Sequence, residues 1–171
     1  CTSDVDPVDI GPPSAPTAAD YELIVTASAS AVLTGDPVTF TVQLLDHTGA
    51  DAAPASDIRS EVSPALGVLP DGDGVYRFTK IDTYTFFASV DVLDTTLVAG
   101  ASVDVSAGPA ANLEVRAEPP VVEAGSTVVL SAEVTDAWGN PTEGDVSWSV
   151  DPSATLSGNE VVATVLGSYV V

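Results

Sequence analysis

Apolar and polar residues alternate one by one along much of this chain. Val38, Phe40, Val42 and Leu44 are separated by Thr39, Thr41 and Gln43, the period-two pattern of a strand with one buried face. Val128, Leu130, Ala132 and Val134 repeat the pattern, and so do Val146, Trp148 and Val150 around Ser147 and Ser149. Tyr84, Phe86, Ala88, Val90 and Val92 mark a longer strand, and Leu97 to Val105 another. Turn formers stand between them: Gly35-Asp36-Pro37, His47-Thr48-Gly49, Asp71-Gly72-Asp73-Gly74 and Trp138-Gly139-Asn140-Pro141. No helical period competes. The 27 Val and 17 Thr among 171 residues are β-branched and stiff at χ1, which suits a pleated sheet. Some seven short strands in roughly 88 residues predict an all-β chain built of β-sandwiches.

The chain also repeats itself. Shifted by 90 positions, Leu23, Val25, Ala27, Val32, Gly35, Val38, Asp46 and Gly49 fall on Leu113, Val115, Ala117, Val122, Gly125, Val128, Asp136 and Gly139. Further on the offset is 85, where Thr83-Tyr84-Thr85 meets Ser168-Tyr169-Val170. Such self-similarity indicates two copies of one structural unit. We place domain 1 at residues 20–107 and domain 2 at residues 108–171, with the boundary near Ser106-Ala107-Gly108-Pro109-Ala110. After Tyr84 the first copy continues for another 23 residues to Ala107, whereas only Val170 and Val171 follow Tyr169. The second sandwich is therefore expected to lack its final strands. Either the sequence is part of a longer one, or a partner supplies a strand by β-augmentation.

These residues resemble tandem bacterial Ig-like domains, the modules of invasin- and intimin-type surface proteins. The resemblance lies in Val134-Thr135-Asp136-Ala137-Trp138-Gly139-Asn140-Pro141, followed by Gly144-Asp145-Val146-Ser147-Trp148, and in Gly125-Ser126-Thr127-Val128 and Gly167-Ser168-Tyr169. The first copy keeps Asp46-His47-Thr48-Gly49 but has Ala50-Asp51 in place of Asn-Pro. The resemblance implies two tandem Ig-like sandwiches, with Trp148 buried on a third strand, in a spacer, adhesin or assembly part.

Residues 1–19 read differently. Cys1 is the only cysteine, and Pro7, Pro12, Pro13 and Pro16 stand among Asp4, Asp6 and Asp9. Proline stiffness and self-repelling charge predict an extended, solvated tether, whose 18 residues after Cys1 reach roughly 55 Å. A first residue that is the sole cysteine resembles a bacterial lipoprotein. That resemblance implies a covalent lipid on Cys1, because each buried acyl CH₂ contributes roughly 0.8 kcal/mol to membrane attachment. Thr2 is not the aspartate that retains enteric lipoproteins at the inner membrane, so the expected destination is the outer membrane or cell surface, with the periplasmic side left open.

Charge narrows the field of partners. With 25 Asp+Glu against 4 Lys+Arg, a net charge of −21 repels phosphate backbones, so no nucleic-acid partner is expected. The chemistry-bearing residues are few. His47 is the only histidine, and it sits in a predicted turn with no nucleophile motif beside it. No catalytic residue is identified and no enzyme is expected. Asp71 and Asp73, flanking Gly72, offer hard oxygens for calcium, and Asp46 and Asp136 near sandwich ends offer others. A tight Asp-Gly hairpin accounts for the first pair equally simply. No organic cofactor is indicated. Trp138 in a turn is either a contact for sugar or protein, or packing over the sandwich end.

Together these features point to a membrane-anchored surface lipoprotein whose Ig-like modules act as a spacer, an adhesive stalk or a subunit of an extracellular assembly. Its partners would be the membrane, other surface proteins or copies of itself. The alternatives are a carbohydrate- or ligand-binding module, and the non-catalytic N-terminal part of a larger surface protein.

Overall fold

The structure, a computed structural model, describes residues 15–53 and 57–170. Cys1 and most of the expected tether lie outside them. The described part of that segment is not wholly extended. Ala18–Asp20 make one 3-10 turn, in which Asp20 accepts hydrogen bonds from the backbone N–H (2.6 Å) and hydroxyl (3.0 Å) of Thr17.

Eight strands follow: β1 (Tyr21–Ala27), β2 (Ala31–Leu33), β3 (Pro37–Asp46), β4 (Arg59–Ser63), β5 (Val68–Pro70), β6 (Val75–Phe78), β7 (Asp82–Val92) and β8 (Thr95–Ser106). They form two four-stranded sheets, ordered β1-β3-β6-β5 and β2-β8-β7-β4. That is the two-layer arrangement of an Ig-like sandwich, and we call it module 1. All pairs are antiparallel except β2 with β8, where Ala31–Leu33 run parallel to Asp104–Ser106.

The alternation read from the sequence is the alternation of burial. Val38, Phe40 and Leu44 of β3 face Tyr84, Phe86, Ala88, Val90 and Val92 of β7 across the core, joined by Leu23, Phe78, Val103 and Val105. Thr39, Thr41 and Gln43 point outward. Aromatic rings tie the layers together. Phe40 stacks on Phe86 at 4.8 Å, and Tyr76 meets both edge-on at 5.9 and 5.8 Å. Phe78 stacks on Tyr84 at 4.3 Å. Tyr84 forms the corner at the start of β7 that such sandwiches commonly carry: its hydroxyl donates to the carbonyl oxygens of Leu66 (2.9 Å) and Lys80 (3.3 Å).

Module 2 repeats the first layer. Strands β9 (Asn112–Glu118), β10 (Thr127–Thr135), β11 (Ala154–Ser157) and β12 (Glu160–Ala163) form a sheet ordered β11-β12-β10-β9, the same order as β5-β6-β3-β1. Tyr169 repeats the corner, donating its hydroxyl to the carbonyl of Val165 at 2.6 Å. The second layer is not assembled among the described residues. The strand predicted at Val146–Val150 is not formed, and Trp148 is half-buried, not a core residue. The physical reason is visible in module 1, where β4 has a single ladder partner, β7. No described strand stands beside 146–150 to play that part. Val146, Trp148 and Val150 remain half-buried between exposed Ser147 and Ser149, so the side-chain pattern persists without its ladder. The inner face of β9 is correspondingly open. Leu113 is 57% exposed, whereas its counterpart Leu23, covered by the opposing layer, is 8% exposed.

Candidate functional site

The three buried polar or charged residues among those described are Thr34, Asp136 and Asn140, and they meet where the two modules join. Buried polar groups are costly unless hydrogen-bonded, so their concentration at one place marks it as built rather than incidental.

The site begins with a turn. β10 ends at Thr135, and Asp136 closes the following loop on itself. Its Oδ1 accepts the backbone N–H groups of Trp138 (2.9 Å) and Asn140 (2.8 Å). An aspartate that hydrogen-bonds the backbone just ahead of it is a standard way to hold a turn. The other oxygen faces module 1. Oδ2 accepts the Thr34 hydroxyl at 2.6 Å, the Gly108 N–H at 3.1 Å and the Asn140 side-chain amide at 2.9 Å.

Thr34 belongs to the loop after β2, which makes a platform at the end of module 1. Its hydroxyl is used in both senses: it donates to Asp136 and accepts the Gly108 N–H at 2.8 Å. Asn140 crosses the junction as well, donating from Nδ2 to the Thr79 carbonyl at 2.9 Å. Thr142 donates to the Gly108 carbonyl (3.0 Å) and Asn112 to the Asp136 carbonyl (2.9 Å). The linker at Gly108 is thereby held from both sides. Arg77 braces the platform, with Nη1 on the Gly35 carbonyl (2.7 Å) and Nε on Asp71 (3.0 Å).

Asp136 is 1% exposed and makes no ion pair among the described residues. Burial by itself raises a carboxyl pKa. Here the hydrogen bonds from the Thr34 hydroxyl, the Asn140 side chain and backbone and the Gly108 backbone outweigh burial, and hold the group well below the ordinary carboxylate range. The arrangement offers no acid, base or nucleophile to a substrate. Its chemistry is the fixing of one module against another.

The remaining sequence candidates are placed separately. Trp138 is 43% exposed, and its indole edge lies on the platform: a Cβ added to Gly35 would sit 2.8 Å from Nε1. Asp46 closes a turn of its own, accepting from Thr48 N–H (2.8 Å) and hydroxyl (2.6 Å) and from Ala50 N–H (3.2 Å). Those bonds, the Thr48 hydroxyl first, lower its pKa. Asp71 and Asp73 lie in the β5–β6 hairpin, where Asp71 N–H donates to the Val75 carbonyl (2.8 Å) and Asp73 has a φ of 44°. Among the described residues no three or more His, Cys, Asp or Glu come together as a metal-binding group. His47 is exposed in its turn. Sequence reasoning singled out Asp136 and Trp138 but missed Thr34, Thr79 and Gly108, because nothing local in a sequence links residues 102 positions apart.

Gly35 makes the junction testable. Its φ of 86° lies in the left-handed region, and the space a methyl group needs is taken by Trp138. Gly35→Ala, made in a Trp148→Phe background, is expected to displace the indole, red-shift Trp138 emission and cost about 1–3 kcal/mol. Unchanged emission would show that Trp138 does not rest on Gly35.

No protein-family model matches the chain, and no curated protein matches it. Among solved structures the chain is similar to FdeC, described as a broadly conserved Escherichia coli adhesin, at 19% identity and a TM-score of 0.45. The match covers 82% of this chain and 55% of that one, so the chain spans little more than half the length of that structure. At this distance the likeness says nothing about function.

Proposed function

We propose that this chain is a stiff extracellular spacer, a surface protein whose modules hold a fixed mutual orientation and carry structural or adhesive work away from a membrane. The observation that supports this reading is the junction. A buried carboxylate with five donors, two of them on or next to module 1, ties the module 2 turn to the module 1 platform through directional bonds that hold only at one relative placement. The anchor in this proposal is the acylated Cys1 implied by the lipoprotein resemblance, and the strongly acidic surface keeps such a stalk soluble and away from phosphate-rich partners. A sugar-binding reading has less support, since Trp138, its natural carrier, spends its indole edge on Gly35.

Residual dipolar couplings on the intact chain test the spacer. Amides of β1–β8 and of β9–β12 are expected to fit one alignment tensor. Two independent tensors would overturn the reading.

A further inference from the structure

The two modules carry the same turn and the same platform, and comparing the copies separates what builds the backbone from what joins the modules. Gly49 N–H donates to the Asp46 carbonyl at 2.9 Å as Gly139 does to Asp136 at 3.1 Å, and Asp46 N–H donates to Ala50 as Asp136 does to Asn140, both at 2.9 Å. An isolated bridge, Leu45 with Asp51 or Thr135 with Pro141, closes each turn. Ala50 and Thr48 thus make the turn as well as Asn140 and Trp138 do. The amide and the indole are not required for the turn; they reach across to module 1.

The platforms compare in the same way. Gly35 and Gly125 have φ of 86° and 87°, and their N–H groups donate to equivalent strands, to Phe78 and Ala163, at 2.8 Å each. Before the glycine, however, module 1 has Thr34 and module 2 has Ala124. The Thr34 hydroxyl accepts from Gly108 and donates to the carboxylate through one oxygen, and an alanine methyl can do neither. Around Gly125 nothing lies within 4 Å of the space for a Cβ, whereas at Gly35 that space is taken by Trp138.

We propose that Thr34 on the platform and Asn140 on the turn form a matched pair that determines whether neighbouring modules stack rigidly. The turn and platform backbones are general equipment; these two side chains are the specificity. Module 1's own turn has Ala50 where the amide stands, and module 2's platform has Ala124 where the hydroxyl stands. The chain is therefore one stiff joint with both outer faces lacking the pair. A polypeptide leading into the module 1 turn, or a module set on the module 2 platform, is not locked by this device. This inference rests on the spacer reading and specifies which residues make the spacer stiff.

The test uses the intact chain and residual dipolar couplings. Thr34→Ala gives module 1 the platform residue of module 2, and Asn140→Ala gives module 2 the turn residue of module 1. Each is expected to leave both modules' own amide spectra in place while the shared alignment tensor splits into two. The double variant is expected to go no further than either single, since the two residues act through the same carboxylate. Thr34→Ser, which keeps the hydroxyl, is expected to retain one tensor. If the unsubstituted chain and both alanine variants all fit one tensor, the matched pair is wrong and the spacer reading stands. If the unsubstituted chain already needs two tensors, both fall. Loss of the module 2 spectrum in both alanine variants would make the residues part of a fold and not of a joint, and would also overturn the pair.

Discussion

Asp136→Ala is expected to cost about 3–5 kcal/mol. The substitution leaves the Thr34 hydroxyl and the N–H groups of Trp138 and Asn140 without their acceptor, and Gly108 N–H with only its bond to the Thr34 oxygen, in a site that is 1% exposed at the aspartate. Unfolding by urea, followed at Trp138, is expected to shift to a lower midpoint, and the two modules to melt separately. A cost under about 1 kcal/mol would place Asp136 among ordinary surface turns, which Asp46 already exemplifies. The same residue sets a pH dependence whose sign is fixed. Its folded-state pKa is depressed below the ordinary 3.8, so the unfolded chain takes up the proton first as the pH falls. The stabilisation is complete above that ordinary range and is lost as pH drops below about 4 toward the depressed value. Asp136→Asn is expected to flatten that part of the profile, and an unchanged slope would assign acid unfolding to other carboxylates.

Phe86→Ala is expected to be as damaging to module 1, at about 3–5 kcal/mol. Phe86 is 3% exposed, stacks on Phe40 of the opposite sheet and receives the edge of Tyr76. Truncation opens a cavity between two layers whose own backbone ladders hold them too firmly to collapse inward. The denaturation midpoint is expected to fall with little change in the slope against urea, because the surface exposed on unfolding is nearly the same. Phe87, its neighbour in sequence, points outward and is 38% exposed; Phe87→Ala is the control, expected to cost far less.

That contrast between adjacent phenylalanines shows what the sequence makes legible. Period-two alternation places Phe86 inside and Phe87 outside from their positions relative to Tyr84 and Ala88, and the all-β fold follows from the same local rule. The pattern at Val146, Trp148 and Val150 is just as clear, yet no ladder forms there. Alternation reports which way side chains point, whereas a strand also needs a neighbour with free backbone groups, and no local signal provides one. The junction was half legible. Asp136 stood out as a candidate calcium oxygen and Trp138 as an aromatic in a turn, but their partners across the junction, Thr34 and Gly35, lie far away in sequence. A pointer was present in the repeat itself: Asn140 and Trp138 replace Ala50 and Thr48 in a turn that closes equally well with either set.

The parallel pairing of β2 with β8 bears on how module 1 responds to being pulled. The chain enters β2 at one end of the sandwich and leaves β8 at the other, with the two strands pointing the same way. Tension transmitted past β1 therefore draws β2 backward and β8 forward along their common axis. The bonds between them, including Asp104 N–H to the Ser30 carbonyl and Thr34 N–H to the Ser106 carbonyl, both at 2.9 Å, are loaded side by side and must fail together, where a perpendicular pull would unzip them in turn. Thr34 sits at the edge of that patch and also bonds Asp136. The seam that carries the load within module 1 is thus continuous with the contact that passes it on to module 2.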